Sequence, residues 1–244
     1  MRAPVLILGA TSDMGRAIAH RFAAKGYPIQ LAARQVSRLE PDKADLEIRY
    51  GVAVSVHEFD VLAVETHASF IQQLPEQPAI VICVVGFMPD QKACEQDLSL
   101  TLEVMRTNYE GPAVILSLFA NMFEQRGFGT LVGISSVAGE RGRAKNYCYG
   151  SAKAGFTAFL SGLRHRLAKS RIQVLTVLPG YVKTRMTEGM KLPPLLTAQP
   201  QEVANAIFTA IEKKKDVIYV RPIWRWIMVI IRWIPEPLFK RLSL

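Results

Sequence analysis

Short apolar runs alternate with longer segments of helical period along most of the chain. Runs rich in β-branched residues predict seven strands: Val5–Leu8, Ile29–Ala33, Ala53–Phe59, Ile80–Val85, Thr130–Ser135, Gln173–Leu178 and Val217–Val220. Apolar positions that recur every three or four residues predict helices between them: Met14–Lys25, Ser37–Arg49, Val64–Leu74, Leu98–Glu124, Tyr149–Lys169 and Gln201–Lys214. This alternation indicates an α/β fold, a single doubly wound parallel sheet with helices on both faces.

Composition and charge narrow the class of protein. The chain has 244 residues, of which 50% are hydrophobic and 21% charged, as expected of a globular domain. The net charge is +9, and residues 213–244 carry eight basic against two acidic residues. A basic end suits a membrane surface or nucleic acid. No base-reading module accompanies the charge, so we expect no nucleic-acid partner.

The cysteines and the apolar runs bear on the cellular compartment. Cys83, Cys94 and Cys148 lack metal-ligand spacing, so we expect reduced thiols and no metal site. No run reaches the roughly 18 uncharged residues of a membrane span, and the first apolar run is too short for a signal peptide. These features favour a cytoplasmic protein.

A glycine-bearing turn joins the first predicted strand to the first helix. It reads Gly9-Ala-Thr-Ser-Asp-Met-Gly15. Glycines at this place let the backbone approach a pyrophosphate, and the helix N-terminus offers amide donors. An ordinary strand-to-helix turn is the alternative interpretation of the same residues.

A tyrosine and a lysine stand one helical turn apart in the segment Tyr149-Gly-Ser-Ala-Lys153. Side chains at this spacing share a helix face, so the ammonium is expected to lower the pKa of the phenol. Ser136 lies thirteen residues before Tyr149, at the end of a predicted strand. A hydroxyl, a phenol and an ammonium together favour proton transfer to or from an oxygen.

In this order, the motifs resemble the short-chain dehydrogenase/reductase family along nearly the whole chain. Gly9 and Gly15 match the outer glycines of the family's turn, whereas Asp13 replaces the middle glycine. Asp13 is expected either to cap the first helix or to repel the cofactor phosphates. The family's fourth-strand Asn-Asn-Ala-Gly motif is reduced here to Cys83-Val-Val-Gly86. The resemblance implies a Rossmann-type catalytic domain over residues 1–221 and a tail over residues 222–244.

The resemblance also implies roles for particular residues. Tyr149 would be the general acid, Ser136 would hydrogen-bond the substrate carbonyl, Lys153 would hold the nicotinamide ribose, and Asn108 would anchor a water in a proton relay. The residues implied to bind the cofactor are Gly9, Thr11, Ser12, Asp13, Met14, Gly15, Arg34, Asp60, Val61, Gly86, Tyr149, Lys153, Pro179, Gly180, Val182 and Thr184. The implied reaction interconverts a ketone and a secondary alcohol.

The end of the second strand bears on the choice of cofactor. An acidic residue there would bind the ribose hydroxyls of NAD, while an arginine accommodates the extra phosphate of NADP. This strand ends Ala32-Ala33-Arg34, and Arg38 follows one turn later. The sequence therefore favours NADP over NAD.

The segment after Pro179-Gly180 and the tail bear on the substrate. Residues 186–196 contain two methionines and three leucines, which predict either an apolar lid or simple packing onto the domain. The tail carries all three tryptophans, and Pro222 and Pro235 delimit a predicted amphipathic helix. This helix is expected to lie in a membrane interface, in an oligomer interface or over the substrate pocket of its own subunit.

Two substrate classes stay open. The tail and Asp13 are similar to those of reductases of polyprenyl-phosphate-linked keto-sugars, which implies a lipid-linked substrate and contact with the inner membrane face. A long-chain 3-oxoacyl or other hydrophobic ketone fits the lid nearly as well. The family also implies a homodimer or homotetramer, which the apolar stretches Ala113–Phe123 and Ala154–Leu163 permit.

Two other classes of function compete with the enzyme. A dinucleotide sensor without catalysis would explain the degraded fourth-strand motif, but it has no need of Ser136, Tyr149, Lys153 and Asn108. A membrane scaffold that uses only the tail leaves the same four residues unexplained.

Overall fold

The computed structural model describes residues 2–242 and contains one seven-stranded parallel sheet of order β3-β2-β1-β4-β5-β6-β9. Its strands are β1 (Val5–Leu8), β2 (Ile29–Ala33), β3 (Val54–Glu58), β4 (Ile80–Cys83), β5 (Phe128–Ile134), β6 (Arg171–Pro179) and β9 (Val217–Val220). Two short strands, β7 (Tyr181–Val182) and β8 (Thr197–Ala198), form a separate parallel pair within the segment that follows β6. The predicted α/β fold class is thus confirmed.

The α-helices connect these strands and cover both faces of the sheet. They are α1 (Asp13–Ala23), α2 (Glu40–Tyr50), α3 (His67–Gln73), α4 (Gln91–Gln96), α5 (Leu98–Met105), α6 (Gly111–Arg126), α7 (Tyr147–Arg166), α8 (Pro200–Glu212), α9 (Ile223–Trp233) and α10 (Glu236–Phe239). Strand β1 is wholly apolar because both of its faces are buried. Val5 and Ile7 pack into the core on one face, and Leu6 and Leu8 into the core on the other.

Two helical segments differ from the prediction. The predicted helix Leu98–Glu124 contains a π-helical turn, Arg106–Glu110, between α5 and α6. Helix α4 was not predicted, because its six residues are mostly polar and have no apolar period. Gln91 of α4 holds it in place by accepting a hydrogen bond of 3.1 Å from the backbone N–H of Cys148.

The sequence predicts that the apolar stretches Ala113–Phe123 and Ala154–Leu163 permit an oligomer. Their large side chains point into the core of the subunit itself. Phe119 and Phe123 of α6, and Phe156 and Leu160 of α7, are at most 1% exposed. The exposed apolar side chains nearby form a stripe on α5 and the π turn: Leu98, Leu102, Met105 and Tyr109. The oligomeric state stays a prediction.

Candidate active site

The sheet reverses its direction of winding between β1 and β4, whose carboxyl ends meet at a crevice. Gly9 follows β1 with a φ of +89°, and a Cβ there would lie 3.1 Å from the backbone nitrogen of Val85. A Cβ on Gly15 would lie 2.8 Å from the carbonyl oxygen of Gly9. Both positions therefore require glycine, as expected of a turn that brings backbone amides against a phosphate.

Ser12, rather than Asp13, caps helix α1. The Ser12 hydroxyl accepts a hydrogen bond of 3.0 Å from the Gly15 N–H and donates one of 2.8 Å to the Gly9 carbonyl. The expectation that Asp13 caps the helix is wrong, because Asp13 is already the first helical residue. Its carboxylate instead accepts a hydrogen bond from the backbone N–H of Arg185.

A cavity of about 400 Å³ lies over this turn. Ten of the residues predicted to bind the cofactor line it: Gly9, Thr11, Ser12, Asp13, Met14, Arg34, Asp60, Val61, Gly86 and Thr184. Gly15 lies behind them, buried within α1. The glycines of the turn leave no room for a Cβ, the N-terminus of α1 lies beside them, and Arg34 is exposed. Together these features fit a dinucleotide with an anionic end.

A second cavity, of about 640 Å³, adjoins the first, and Met14, Gly86, Thr184 and Met186 line both. Asn108 lines neither cavity, and the other predicted site residues line the second one: Ser136, Tyr149, Lys153, Pro179, Gly180 and Val182. Two adjoining cavities at the switch point are the arrangement expected of a cofactor site beside a substrate site.

Helix α7 places Tyr149 and Lys153 on the same face, directly beneath the cavity. Lys153 is 3% exposed, and its Nζ lies 5.7 Å from the centroid of the Tyr149 ring. The same ammonium donates a hydrogen bond of 2.9 Å to the carbonyl of Ile134. Ser136, after β5, lies beside the side chain of Tyr149, and its hydroxyl accepts a hydrogen bond of 3.1 Å from the Ala138 N–H. The three side chains predicted to act together thus converge on one cavity.

Burial has the largest effect on the pKa values of Tyr149 and Lys153. It raises the pKa of Tyr149 to about 12, and the hydrogen bond with Ser136 acts in the opposite direction. Burial also lowers the pKa of Lys153 to about 8, which nearby Cys83 partly opposes. The expectation that the pKa of Tyr149 is lowered does not hold in this structure, because loss of hydration has the largest effect on the phenol.

Asn108 is fully buried within the π-helical turn. Its Nδ2 donates to the carbonyls of Phe87 and Val104, at 2.6 and 2.8 Å, and its Oδ1 accepts from the Phe87 N–H at 3.2 Å. These bonds fix the loop after β4, where the family's asparagines are missing. A Cβ on Gly86 would lie 3.3 Å from Asn108 Oδ1, slightly closer than an ordinary contact, and 3.7 Å from Lys153 Nζ, an ordinary van der Waals distance. A water relay through Asn108 stays a prediction.

Three residues of the cleft were not singled out from the sequence. Arg185 reaches Asp13 from the segment after β7, and Arg143 lines the second cavity from the loop after β5. Trp224 of α9 lines the same cavity and donates a hydrogen bond of 3.0 Å from Nε1 to the carbonyl of Leu196. The inner face of the tail helix therefore covers the cavity of its own subunit, one of the three alternatives for the tail.

Comparisons with known proteins agree with this geometry. The family model described as short chain dehydrogenase matches residues 3–193. The chain belongs to this family. An uncharacterised oxidoreductase of Mycobacterium tuberculosis is 35% identical over 243 residues, covering 98% of this chain and 97% of that protein. One of Streptomyces coelicolor is 34% identical over 241 residues, covering 98% and 95%.

A solved structure of a short-chain dehydrogenase from Sphingobium yanoikuyae, in complex with NADPH, is also similar. The TM-score is 0.81 at 25% sequence identity, covering 88% of this chain and 87% of that one. The protein is therefore an oxidoreductase of the short-chain dehydrogenase/reductase type, with a Rossmann-type sheet and a site for a nicotinamide cofactor.

Proposed function

We propose that this short-chain dehydrogenase/reductase reduces a ketone with a large apolar part to a secondary alcohol, using NADPH. The convergence of Ser136, Tyr149 and Lys153 on a cavity that adjoins the glycine turn carries this proposal. The cofactor, when bound, supplies the hydride, and the protein supplies position and protons.

Tyr149 is the proton donor in this proposal. A pKa of about 12 keeps its phenol protonated at neutral pH, the form needed to protonate a carbonyl oxygen. The Ser136 hydroxyl, beside the same phenol, would bind that oxygen and stabilise the charge that develops on it.

Lys153 and Asn108 support the donor. The Lys153 ammonium already bonds the Ile134 carbonyl, and its remaining protons are available to ribose hydroxyls at the junction of the two cavities. Asn108 lies across Gly86 from it and holds the loop that forms the cavity wall. We assign Lys153 to ribose binding and Asn108 to the path that returns a proton to the site.

Arg34 and Arg38 support the choice of NADPH over NADH. Both are exposed and line the first cavity at the end of β2, and that strand ends in Ala33 rather than in an acidic residue that could bind the ribose hydroxyls of NAD. The structural relative from Sphingobium yanoikuyae binds NADPH. A guanidinium at this place would pair with the additional phosphate.

Apolar side chains support a hydrophobic substrate. Met186, Met190 and Leu192 line the second cavity from one side, and Trp224 and Tyr181 line it from another. This lining suits a polyprenyl-phosphate-linked keto-sugar or a long-chain 3-oxoacyl compound better than a small polar ketone.

The outer face of α9 supports contact with a membrane. Its exposed side chains form one stripe of the helix, with exposures of 42% for Ile223, 66% for Trp226, 67% for Ile230 and 80% for Trp233. Among the described residues no helix is both long and apolar enough to span a bilayer. An apolar stripe containing tryptophan suits a helix that lies in the plane of the interface.

Charge and position support an anionic lipid surface as the partner of this face of α9. Arg225 lies beside the stripe, and Lys240 and Arg241 follow it, whereas Arg232 is paired with Glu140 at 3.2 Å and Glu236 with Arg141 at 2.6 Å. The lid adjoins the helix through a bond of 2.7 Å from Arg221 to the carbonyl of Leu195, whose side chain is 74% exposed. A lipid substrate could thus reach the second cavity along the surface that contacts the membrane.

Oxidation of NADPH with a panel of ketones tests the proposed reaction. The panel contains a polyprenyl-phosphate-linked keto-sugar, a long-chain 3-oxoacyl thioester and a short water-soluble ketone. Tyr149→Phe should lower turnover by about 10²- to 10⁴-fold, the usual contribution of a general acid, while NADPH binding is retained. Tyr147→Phe is the matched control, because Tyr147 is 46% exposed and does not line the cavity. Full turnover by Tyr149→Phe would refute the assignment.

A further inference from the structure

Two buried polar atoms beside the second cavity have no hydrogen-bond partner among the described residues. They are Nε of Arg143 and Oδ1 of Asn146, and both residues line the cavity from the loop between β5 and α7. Buried donors and acceptors without partners are costly, so they mark places where a ligand can complete the bonding. Neither residue has a part in the proton transfer proposed above.

The Arg143 guanidinium also lacks a counter-charge within the described residues. Its recorded contact is a bond of 3.8 Å from Nη2 to the thioether sulfur of Met228, which is a weak acceptor. Its neighbours differ in this respect, because Arg141 pairs with Glu236 at 2.6 Å and Arg232 with Glu140 at 3.2 Å. Arg143 is thus half-buried and has no counter-charge in the described part of the chain, whereas the arginines around it are paired. This difference indicates that Arg143 binds a ligand rather than stabilising the fold.

The cavity around Arg143 is positively charged. Arg143, Lys145, Lys153 and Lys191 line it, against a single lining carboxylate, Asp90. One oxygen of that carboxylate, Oδ1, accepts the backbone N–H groups of Lys92 and Ala93 at the start of α4, and the lining cations outnumber it. Cations grouped within a concave, partly apolar site raise the local concentration of an anion.

We propose that Arg143 binds an anionic group, a carboxylate or a phosphate, on the substrate that is reduced. The guanidinium offers a rigid fork of donors that matches both groups. Asn146 Oδ1 would accept a hydrogen bond from a hydroxyl beside that group. The substrate class is then an amphiphile with a ketone near Tyr149, an anion at Arg143 and an apolar chain along Met190 and Trp224. This inference rests on the proposed function, because it concerns the same cavity.

Binding of matched amphiphiles to the NADPH-saturated enzyme tests the anion site without any reaction. Dodecyl phosphate, dodecanoate and dodecanol share one chain and differ in the head group. The wild-type protein should bind one or both anions about ten- to a hundredfold more tightly than the alcohol, the range for hydrogen bonds to a charged group. Comparison of phosphate with carboxylate identifies which anion the site prefers.

Variants separate the site from the general charge of the protein. Arg143→Met should remove the preference for anions and leave dodecanol binding unchanged, and Arg143→Lys should restore it in part. Arg166→Met is the matched control, because Arg166 pairs with Glu124 at the far end of α7 and should keep the preference. Equal preference in wild type and Arg143→Met would overturn the inference, as would equal binding of all three amphiphiles by wild type.

Failure of this inference and failure of the proposed function give different results. If Tyr149→Phe keeps full turnover while Arg143→Met loses anion binding, the reaction assignment fails and the anion site stands. If Tyr149→Phe abolishes turnover and Arg143→Met binds anions as wild type does, the reaction stands and the anion site fails. Thermal unfolding and NADPH binding of each variant show whether it is folded.

Discussion

The carboxylate of Asp13 accepts a hydrogen bond of 2.8 Å from the backbone N–H of Arg185. The Arg185 guanidinium lies 3.5 Å from the second carboxylate oxygen and also donates to the carbonyl of Thr11. This contact joins the segment after β7 to the glycine turn, across the edge of the first cavity. The negative charge that replaces the family's middle glycine therefore has a counter-charge beside it, which reduces its repulsion of a phosphate.

Replacement of Asp13 by asparagine should strengthen cofactor binding. The amide keeps an acceptor for the Arg185 N–H but removes the negative charge, leaving the guanidinium free to attract the phosphates. We expect KM for NADPH to fall by about two- to fivefold, because pairs this exposed are worth roughly 0.2–1 kcal/mol. The difference should shrink at high salt, where the charges are screened. A higher KM in Asp13→Asn would contradict this account.

Replacement of Arg34 by alanine should alter the choice of cofactor. If Arg34 binds the additional phosphate of NADPH, KM for NADPH should rise about tenfold or more, since a hydrogen bond to a charged group contributes roughly 1.5–3 kcal/mol. KM for NADH should hardly change. Steady-state kinetics with both cofactors decide this, and wild-type preference for NADH would show that the arginine has no such role.

Buried Lys153 should make the cofactor-free protein more stable as the pH rises. Its pKa is about 8 in the folded protein and 10.5 when exposed, so above pH 8 the unfolded chain binds more protons and stability increases. Opposing losses come from groups whose pKa values are raised, namely Cys83, Cys94, Tyr149 and Tyr219; those of the thiols set in as the pH approaches 9 and those of the phenols near pH 10. Between pH 8 and 9 the free energy of unfolding should therefore rise, by less than about 1 kcal/mol.

Urea unfolding of Lys153→Met provides the control for this pH dependence. Methionine fills the same space without a titrating group, so the rise between pH 8 and 9 should disappear. The same slope in both proteins would assign the effect to other groups.

Gly180 and Trp224 are in direct contact. A Cβ at position 180 would lie 1.9 Å from Trp224 Nε1, so Gly180→Ala should displace α9 and destabilise the protein by about 1–3 kcal/mol. Trp224→Ala removes a buried aromatic side chain and should cost about 3–5 kcal/mol. The double variant should be no less stable than Trp224→Ala alone, because the clash has gone. If denaturant unfolding shows that the stability losses of the two single variants add in the double variant, the clash with Trp224 is not the cause of the loss in Gly180→Ala.

Exposed tryptophans of α9 should govern binding to anionic vesicles. Trp226→Ser with Trp233→Ser should lower co-sedimentation with phosphatidylglycerol vesicles by about tenfold or more, since each large apolar side chain contributes roughly 1.5–3 kcal/mol on burial. Leu98→Ser with Leu102→Ser is the matched control on the exposed stripe of α5. Equal losses in the two double variants, or equal binding to phosphatidylcholine, would argue against a membrane-binding α9.

The strands and most helices were predictable because their apolar periods are local properties of the chain. β9 agrees with its prediction at both ends, because its apolar run is bounded by the polar residues Asp216 and Arg221. Tyr149 and Lys153 were predictable as a pair because any α-helix places residues four apart on one face. Helix α4 has no such period and is held by Gln91 through a residue 57 positions away.

Other features of the cleft depend on contacts between distant segments. The partner of Asp13 is 172 residues away, and the tail residue Trp224 meets Gly180 only when α9 folds back over the cavity. The pKa of Tyr149 rises because the fold removes its water, although Lys153 stands only four residues further along the chain. Motif spacing thus determined the chemistry by itself, whereas burial and charge pairing, which are properties of packed surfaces, were decided only by the tertiary structure.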